Sequence, residues 1–231
     1  ATNNIDPNSI STIEVLENHQ DIKALKDLKP EERASINLKL KSGVKGVFNL
    51  IATLGGGYVD KLLWDNELIT TYFQRNSQLL ATYKGNNSGT DLESELRSHT
   101  DYDYSRTSTI SDIAMPATPG INKRYYYFNQ SHSATYNQVF RVGKNGELGI
   151  NAAYLNDRDE RSNQSVTTTL LPDGSKNVVD ESFNGILHRN IANGNITYMQ
   201  NTERNYIKEQ LKFDWLSTDG YSNIYAGEDI I

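Results

Sequence analysis

Three short segments of the chain carry side chains that could do chemistry. Ser131-His132-Ser133 places two hydroxyls beside an imidazole, the components of a nucleophile and its general base. These residues lie within an alternating pattern typical of a β-strand, so neighbouring side chains point to opposite faces. We therefore expect no catalytic pair here, and we predict that the chain is not an enzyme.

The second segment is an acidic run close to residue 158. Asp157, Asp159 and Glu160 supply carboxylates that could bind Ca²⁺, but arginines lie among them. The run also lacks the glycine and the spacing of a calcium-binding loop. We interpret it as part of a solvated outer loop near 156–185. Neither a metal ion nor another cofactor is expected.

The third segment combines aromatic rings with charge. Tyr102, Tyr104 and Arg106 could form an aromatic contact surface for a glycan or peptide, or they could belong to an ordinary loop. A separate residue, His19, could act as a ligand or a base. Because it directly follows Glu17-Asn18 and the other histidines lie far away along the chain, a hydrogen-bonding role is favoured for it.

Composition narrows the classes of function. The chain has 231 residues, no cysteine and a formal net charge of -6. Disulfide scaffolds and thiolate metal sites are excluded, and a negative chain is a poor partner for a phosphate backbone, so no nucleic-acid partner is expected. Hydrophobic residues make up only 36%, yet there are 14 tyrosines. This composition fits a β protein with one face toward water.

From residue 43 onward, alternating apolar and polar residues predict long β-strands. Phe48, Leu50 and Ala52, for example, share one strand face. The predicted strands lie near 43–54, 64–82, 125–142, 147–154, 186–200 and 206–215. Patterns of ten or more residues exceed the roughly 5–6 residues of typical soluble strands. Short connections also alternate with long ones near 84–123 and 156–185, which is typical of a transmembrane β-barrel.

The first 42 residues have a different pattern. Ile13 and Val15 belong to a short apolar patch, and a helix is predicted over 21–28. A predicted strand over 34–41 alternates strictly, with Ile36 and Leu38 on one face.

These segments resemble the TonB-dependent outer-membrane receptors. Ser11-Thr-Ile-Glu-Val-Leu16, Ile22-Lys-Ala-Leu25 and Ser35-Ile-Asn-Leu-Lys-Leu-Lys41 are similar to the end of the plug domain in the Bacteroidetes-type branch. Residues 63–66, 82–87 and 201–207 are similar to the same branch. The plug positions that carry the resemblance are Ile13, Glu14, Val15, Leu16, His19, Ile36, Asn37 and Leu38.

The resemblance implies a mainly β fold. Residues 1–42 would be the C-terminal part of the plug, and residues 43–231 the first antiparallel strands of a transmembrane barrel. The barrel would be incomplete, because receptors of this family close with about 22 strands. The chain is therefore expected to be a fragment of a longer receptor.

The resemblance also implies a cellular location and a function. The location would be the outer membrane of a Gram-negative bacterium, and the function energised uptake of a nutrient, with loop 84–123 helping to capture the ligand. The implied partners are outer-membrane lipid, a TonB-type energising protein acting through N-terminal residues that lie outside the chain, and a surface lipoprotein or barrel-assembly protein. The alternative is a secreted or surface β-sandwich that binds glycans through exposed tyrosines.

Overall fold

The computed structural model describes residues 10–16, 35–41, 46–93, 96 and 113–230, of which 76% are strand. The expected mainly β fold is confirmed. In these residues no helix is long and apolar enough to cross a membrane. The strands are β1 Ile10–Leu16, β2 Ser35–Leu40, β3 Val47–Tyr58, β4 Leu62–Gln74, β5 Ser77–Asn86, β6 Phe128–Val142, β7 Gly146–Leu170, β8 Lys176–Asn201 and β9 Tyr206–Ile230.

Strands β1 and β2 form a two-stranded antiparallel sheet. Its register sets Ile13 opposite Leu38, Glu14 opposite Asn37 and Val15 opposite Ile36. The predicted strand over 34–41 is therefore confirmed, and the two apolar patterns meet each other. Ile13 and Val15 are each 60% exposed. The helix predicted over 21–28 and His19 lie outside the described residues.

Strands β3 to β9 form one antiparallel sheet in chain order, so each strand pairs with the next along the chain. The last three strands of this sheet are the longest, with 25 residues in β7, 26 in β8 and 25 in β9, against 12 in β3. Tight turns join β4 to β5, β6 to β7 and β8 to β9 at one end. The β5–β6 connection, 87–127, lies at the other end, and its described parts contain no strand. A long loop near 84–123 was expected there.

The single strand predicted near 64–82 is in fact two strands. Residues Arg75 and Asn76 form a two-residue turn, and Gln74 pairs with Ser77. The turn contains neither glycine nor proline, and the apolar alternation resumes directly after it. The sequence pattern therefore concealed a hairpin.

The prediction of a long outer loop near 156–185 is also wrong. These residues are the distal halves of β7 and β8, joined by a tight turn at 171–175. Gly174 has a φ of 89°, and Asp173 accepts hydrogen bonds from the backbone and hydroxyl of Ser175. The charged residues expected to form a loop are accommodated within the strand, because several of them pair across the sheet surface.

The large sheet has two distinct faces. One, the loop-covered face, carries Asn86, Ser131, Asp157, Arg189 and Thr218 in a single row. Described parts of the 87–127 connection lie on it. The other, the open face, carries the alternate residues, and many of its large apolar side chains are exposed: Phe48, Leu50, Leu68, Tyr83, Tyr136, Phe140, Tyr154, Ile196, Leu211, Phe213 and Trp215.

Candidate functional site on the loop-covered face

Antiparallel register brings four polar residues side by side at one level of the sheet. Asn86 of β5 pairs with Ser131 of β6, Ser131 with Asp157 of β7, and Asp157 with Arg189 of β8. Every one of these residues is less than 9% exposed. Buried polar groups are stable only when they are hydrogen-bonded, and this row is connected throughout by side-chain contacts.

The carboxylate of Asp157 is the centre of the cluster. Tyr127 donates its hydroxyl to Oδ1 at 2.6 Å, and Ser131 donates to the same oxygen at 2.6 Å. Arg189 Nη2 donates to Oδ2 at 2.5 Å. Burial and the adjacent Asp157 charge raise the pKa of Tyr127 far above its ordinary value, so the phenol stays neutral. Both carboxylate oxygens of Asp157 therefore accept hydrogen bonds from side chains of the cluster.

The same cluster holds the start of the β5–β6 connection against the sheet. Arg189 Nη1 donates to Glu93 Oε2 at 2.6 Å, so one guanidinium joins a strand carboxylate to a loop carboxylate. At the far end of the connection, Lys123 lies 2.6 Å from Asp91 and 4.2 Å from the centre of the Tyr127 ring. The two ends of the connection are thus joined to each other and to β7 and β8.

Amide side chains fix the first turn of the connection. Asn129 Nδ2 donates to Asn86 Oδ1 at 2.9 Å, and the backbone N–H of Gly89 donates to Asn129 Oδ1 at 2.9 Å. Asn86 also donates to the carbonyl of Thr90 at 3.1 Å. Gly89 has a φ of 88°, a conformation that favours glycine. The side chains of Asn86 and Asn129 therefore shape this turn.

Apolar contacts lie next to the polar row. Leu92 and Leu96 of the connection pack into one cluster with Ala153, Leu155 and Ile191. Leu155 is completely buried. The connection thus contacts the sheet through both a half-buried ion pair and a small apolar patch.

The structure separates the residues of the Ser131-His132-Ser133 segment as predicted. Ser131 is buried on the loop-covered face, whereas His132 lies on the open face, where Nδ1 is 2.8 Å from the Tyr83 hydroxyl. The His132 ring also lies 5.3 Å from Trp64. Gly85 leaves the room for this group, since a Cβ there would come within 3.0 Å of Tyr83 and Trp64.

The acidic run at 157–160 is divided between the faces and is not a solvated loop. Asp157 and Asp159 are each 2% exposed on the loop-covered face, and Arg161 is ion-paired with Asp159. Arg158 and Glu160 pair at 3.1 Å on the open face. Among the described residues, no group of three or more acidic or histidine side chains could hold a metal ion.

Sequence reasoning located the candidate residues incompletely. Tyr102, Tyr104 and Arg106 lie outside the described residues. Tyr127, Arg189 and Glu93 were missed, because no local motif marks them. Register alone brings Arg189 opposite Asp157, and the fold of the loop supplies Glu93.

The open face carries a band without charge. Each of the five strands β4 to β8 contributes one stretch of nine residues to this band. None of the open-face positions in these stretches is Asp, Glu, Lys or Arg. The open-face residues of neighbouring strands lie in rows across the sheet. The row that contains Ala134 extends into β3 and β9 and consists of Ala52, Leu68, Tyr83, Ala134, Tyr154, Ala192 and Trp215. These stretches, the uncharged band, are 66–74, 77–85, 132–140, 148–156 and 190–198.

Polar residues border this band on the side away from the turns at 75–76, 143–145 and 202–205. Beyond Asn156 the open face continues with Arg158 and Glu160, which are charged. Asn156 itself donates to Asn190 at 2.7 Å, and the Tyr154 hydroxyl donates to the same oxygen at 2.8 Å. On this side, the apolar surface therefore ends at the edge of the uncharged band.

Comparison of the chain with protein-family models, with curated proteins and with solved structures found no match.

Proposed function

We propose that the chain is part of a TonB-dependent outer-membrane receptor of the Bacteroidetes type. Residues 1–42 form the end of the plug, and residues 43–231 form the first strands of the barrel. The uncharged band carries the proposal, because its nine-residue stretches match the roughly 9–11 residues with which a tilted strand crosses a bilayer. Its tyrosines, together with Trp215 beside it on β9, suit the aromatic girdle of such a barrel.

The opposite face supports the same proposal. At the level of the band, the loop-covered face presents Asn137, Asn151 and Asn195, which suit a water-filled lumen. In the described part of the chain, β3 and β9 each pair on one side only. An unpaired edge in hydrocarbon leaves backbone groups unsatisfied, so both edges require further strands.

The proposed task is uptake of a nutrient ligand and not catalysis. The connection 87–127 lies at the end of the sheet opposite the turns at 75–76, 143–145 and 202–205, and its length suits an outer loop of a barrel of this type. Tyr102, Tyr104 and Arg106 belong to this connection and would help to capture the ligand. A TonB-type protein would supply the energy, and a surface lipoprotein or assembly factor would be a further partner.

A glycan-binding β-sandwich is the less favoured candidate. A sandwich buries one face of each sheet against a second sheet. Here Phe48, Phe213 and Trp215 remain 45–63% exposed on the open face. A soluble protein seldom exposes so continuous an apolar surface, whereas a lipid-facing wall requires one.

Spin-label accessibility in outer membranes tests the proposal. Single cysteines at Ala134 and Ile150, in a chain that has none of its own, carry nitroxides on the open face. We expect strong relaxation by oxygen and weak relaxation by a polar nickel complex, because oxygen concentrates in hydrocarbon. Labels at Asn137 and Asn151, on the same two strands, are the matched controls and should show the reverse.

Polar accessibility at Ala134 and Ile150 equal to that at the controls would contradict the proposal. So would recovery of the protein as a water-soluble monomer without detergent.

A further inference from the structure

The described ends of the β5–β6 connection are clamped to the loop-covered face at several separate points. Glu93 contacts Arg189, and Leu92 and Leu96 enter the apolar cluster. Farther along the chain, Met115 and Pro116 pack so closely on Gly185 that a Cβ there would lie 2.7 Å from the Met115 sulfur. The described ends of the connection therefore lie on the sheet surface and do not extend away from it.

We propose that these two ends, residues 87–93 with Leu96 and residues 113–127, act as a strap that Arg189 latches shut and that opens as a unit. The inference deepens the proposed function and rests on it, since the loop-covered face would then be the lumen side. A closed strap would cover part of the outer mouth of the lumen, so its opening would control access of the ligand to Asp157 and Arg189.

Arg189 is the latch because its guanidinium bridges the two parts that would separate. Its contact to Asp157 stays within the sheet, whereas its contact to Glu93 crosses to the strap. Asp157 is 2% exposed at its side chain, but Glu93 is 35% exposed. Water therefore already reaches the Glu93 side of the bridge, and the Glu93–Arg189 contact is the one that can break at low desolvation cost.

The closed state also leaves some buried polar atoms without hydrogen bonds. Within the described structure, Arg189 Nε and Thr218 Oγ1 are buried without a hydrogen-bond partner, and these two residues face each other across β8 and β9. An unpaired buried polar atom destabilises the state that buries it. Opening would admit water to both atoms, so the closed and open states lie closer in free energy than the ion pairs alone suggest.

The described residues of the strap are held by side-chain contacts and not by strand pairing, which favours local opening. Leu92, Leu96, Pro116 and Tyr127 are buried, whereas the strands beneath are joined to each other by continuous backbone ladders. A segment outside the ladder opens with lower free energy than the strands on which it lies. We therefore expect the strap to open while β6, β7 and β8 remain paired.

Thiol labelling of Leu92→Cys tests the latch in the whole protein embedded in outer membranes. Leu92 is 4% exposed, and the chain has no other cysteine. In an Arg189→Met background we expect a hydrophilic maleimide to react about tenfold faster, the scale expected for loss of a charge-assisted hydrogen bond. Arg158→Met is the matched control, because Arg158 pairs with Glu160 on the open face.

A separate single-cysteine variant, Val47→Cys, reports general loosening of the sheet, since Val47 is buried in β3 away from the strap. If Arg189→Met accelerates labelling at both positions, Glu93→Gln distinguishes loss of the latch from general loosening of the sheet. This variant removes the strap carboxylate and keeps the Arg189–Asp157 pair. Faster labelling of the Leu92→Cys thiol alone in the Glu93→Gln background supports the latch. An unchanged rate there overturns it, while lipid accessibility at Ile150 separately tests the membrane proposal.

Discussion

At the residue scale, Asp157 is the acceptor on which the polar cluster depends. It receives hydrogen bonds from Tyr127, Ser131 and Arg189 while almost fully buried. Its donors come from positions 26 to 32 residues away in the chain. No spacing rule links residues so far apart, so the sequence predicted the separation of Ser131 from His132 but could not predict this cluster.

Replacing Asp157 by asparagine should destabilise the fold strongly. The amide has no charge to pair with Arg189, so we expect a loss of about 3 kcal/mol in the free energy of unfolding. Urea unfolding in detergent micelles measures it. Asp180→Asn is the matched control, because Asp180 is exposed and accepts only from Gln164 among the contacts seen, and its change should stay within about 0.5 kcal/mol. Equal stability of the two variants would contradict this role.

At the element scale, side-chain alternation predicted the strands well and their ends poorly. Phe48, Leu50 and Ala52 share the open face as expected. The turn at Arg75 and Asn76 was missed, because nothing in its composition interrupts the pattern. The distal half of β7 was expected to be loop because it is charged, although Asp159 is buried and paired with Arg161. Composition reports polarity, but only pairing decides whether a polar segment is a strand.

The β7–β8 hairpin should depend on the backbone conformation at its tip. Gly174 has a φ of 89°, which a branched residue adopts only with strain. Gly174→Val is therefore expected to cost about 1–2 kcal/mol locally. Amide hydrogen exchange at Thr167 and Val179, which pair near the tip, measures this loss.

Gly227→Ala provides the comparison for this substitution. Gly227 lies in β9 with open space around its Cα and without a positive φ. Exchange at the hairpin tip should be unchanged or slower in that variant. Equal exchange in both variants would show that the turn conformation does not limit the hairpin.

At the scale of the whole molecule, one sheet presents an uncharged band on its open face and a polar, partly loop-covered surface opposite. Both edges of the sheet carry unpaired backbone within the described chain. The low hydrophobicity of the sequence is consistent with this arrangement, because only one side of each strand needs to be apolar. The arrangement suits a barrel wall better than the core of a soluble domain.

The most direct test of this account compares arginine at two adjacent residues of β7. Ile150 lies inside the uncharged band, two residues from its central position in β7, and Asn151 lies on the opposite face. We predict that Ile150→Arg prevents assembly of the protein into the outer membrane, because a midplane arginine costs about 2–4 kcal/mol. Asn151→Arg should assemble normally, as judged by the yield of folded protein in isolated outer membranes. Normal assembly of Ile150→Arg, or equal loss for both variants, would contradict the account.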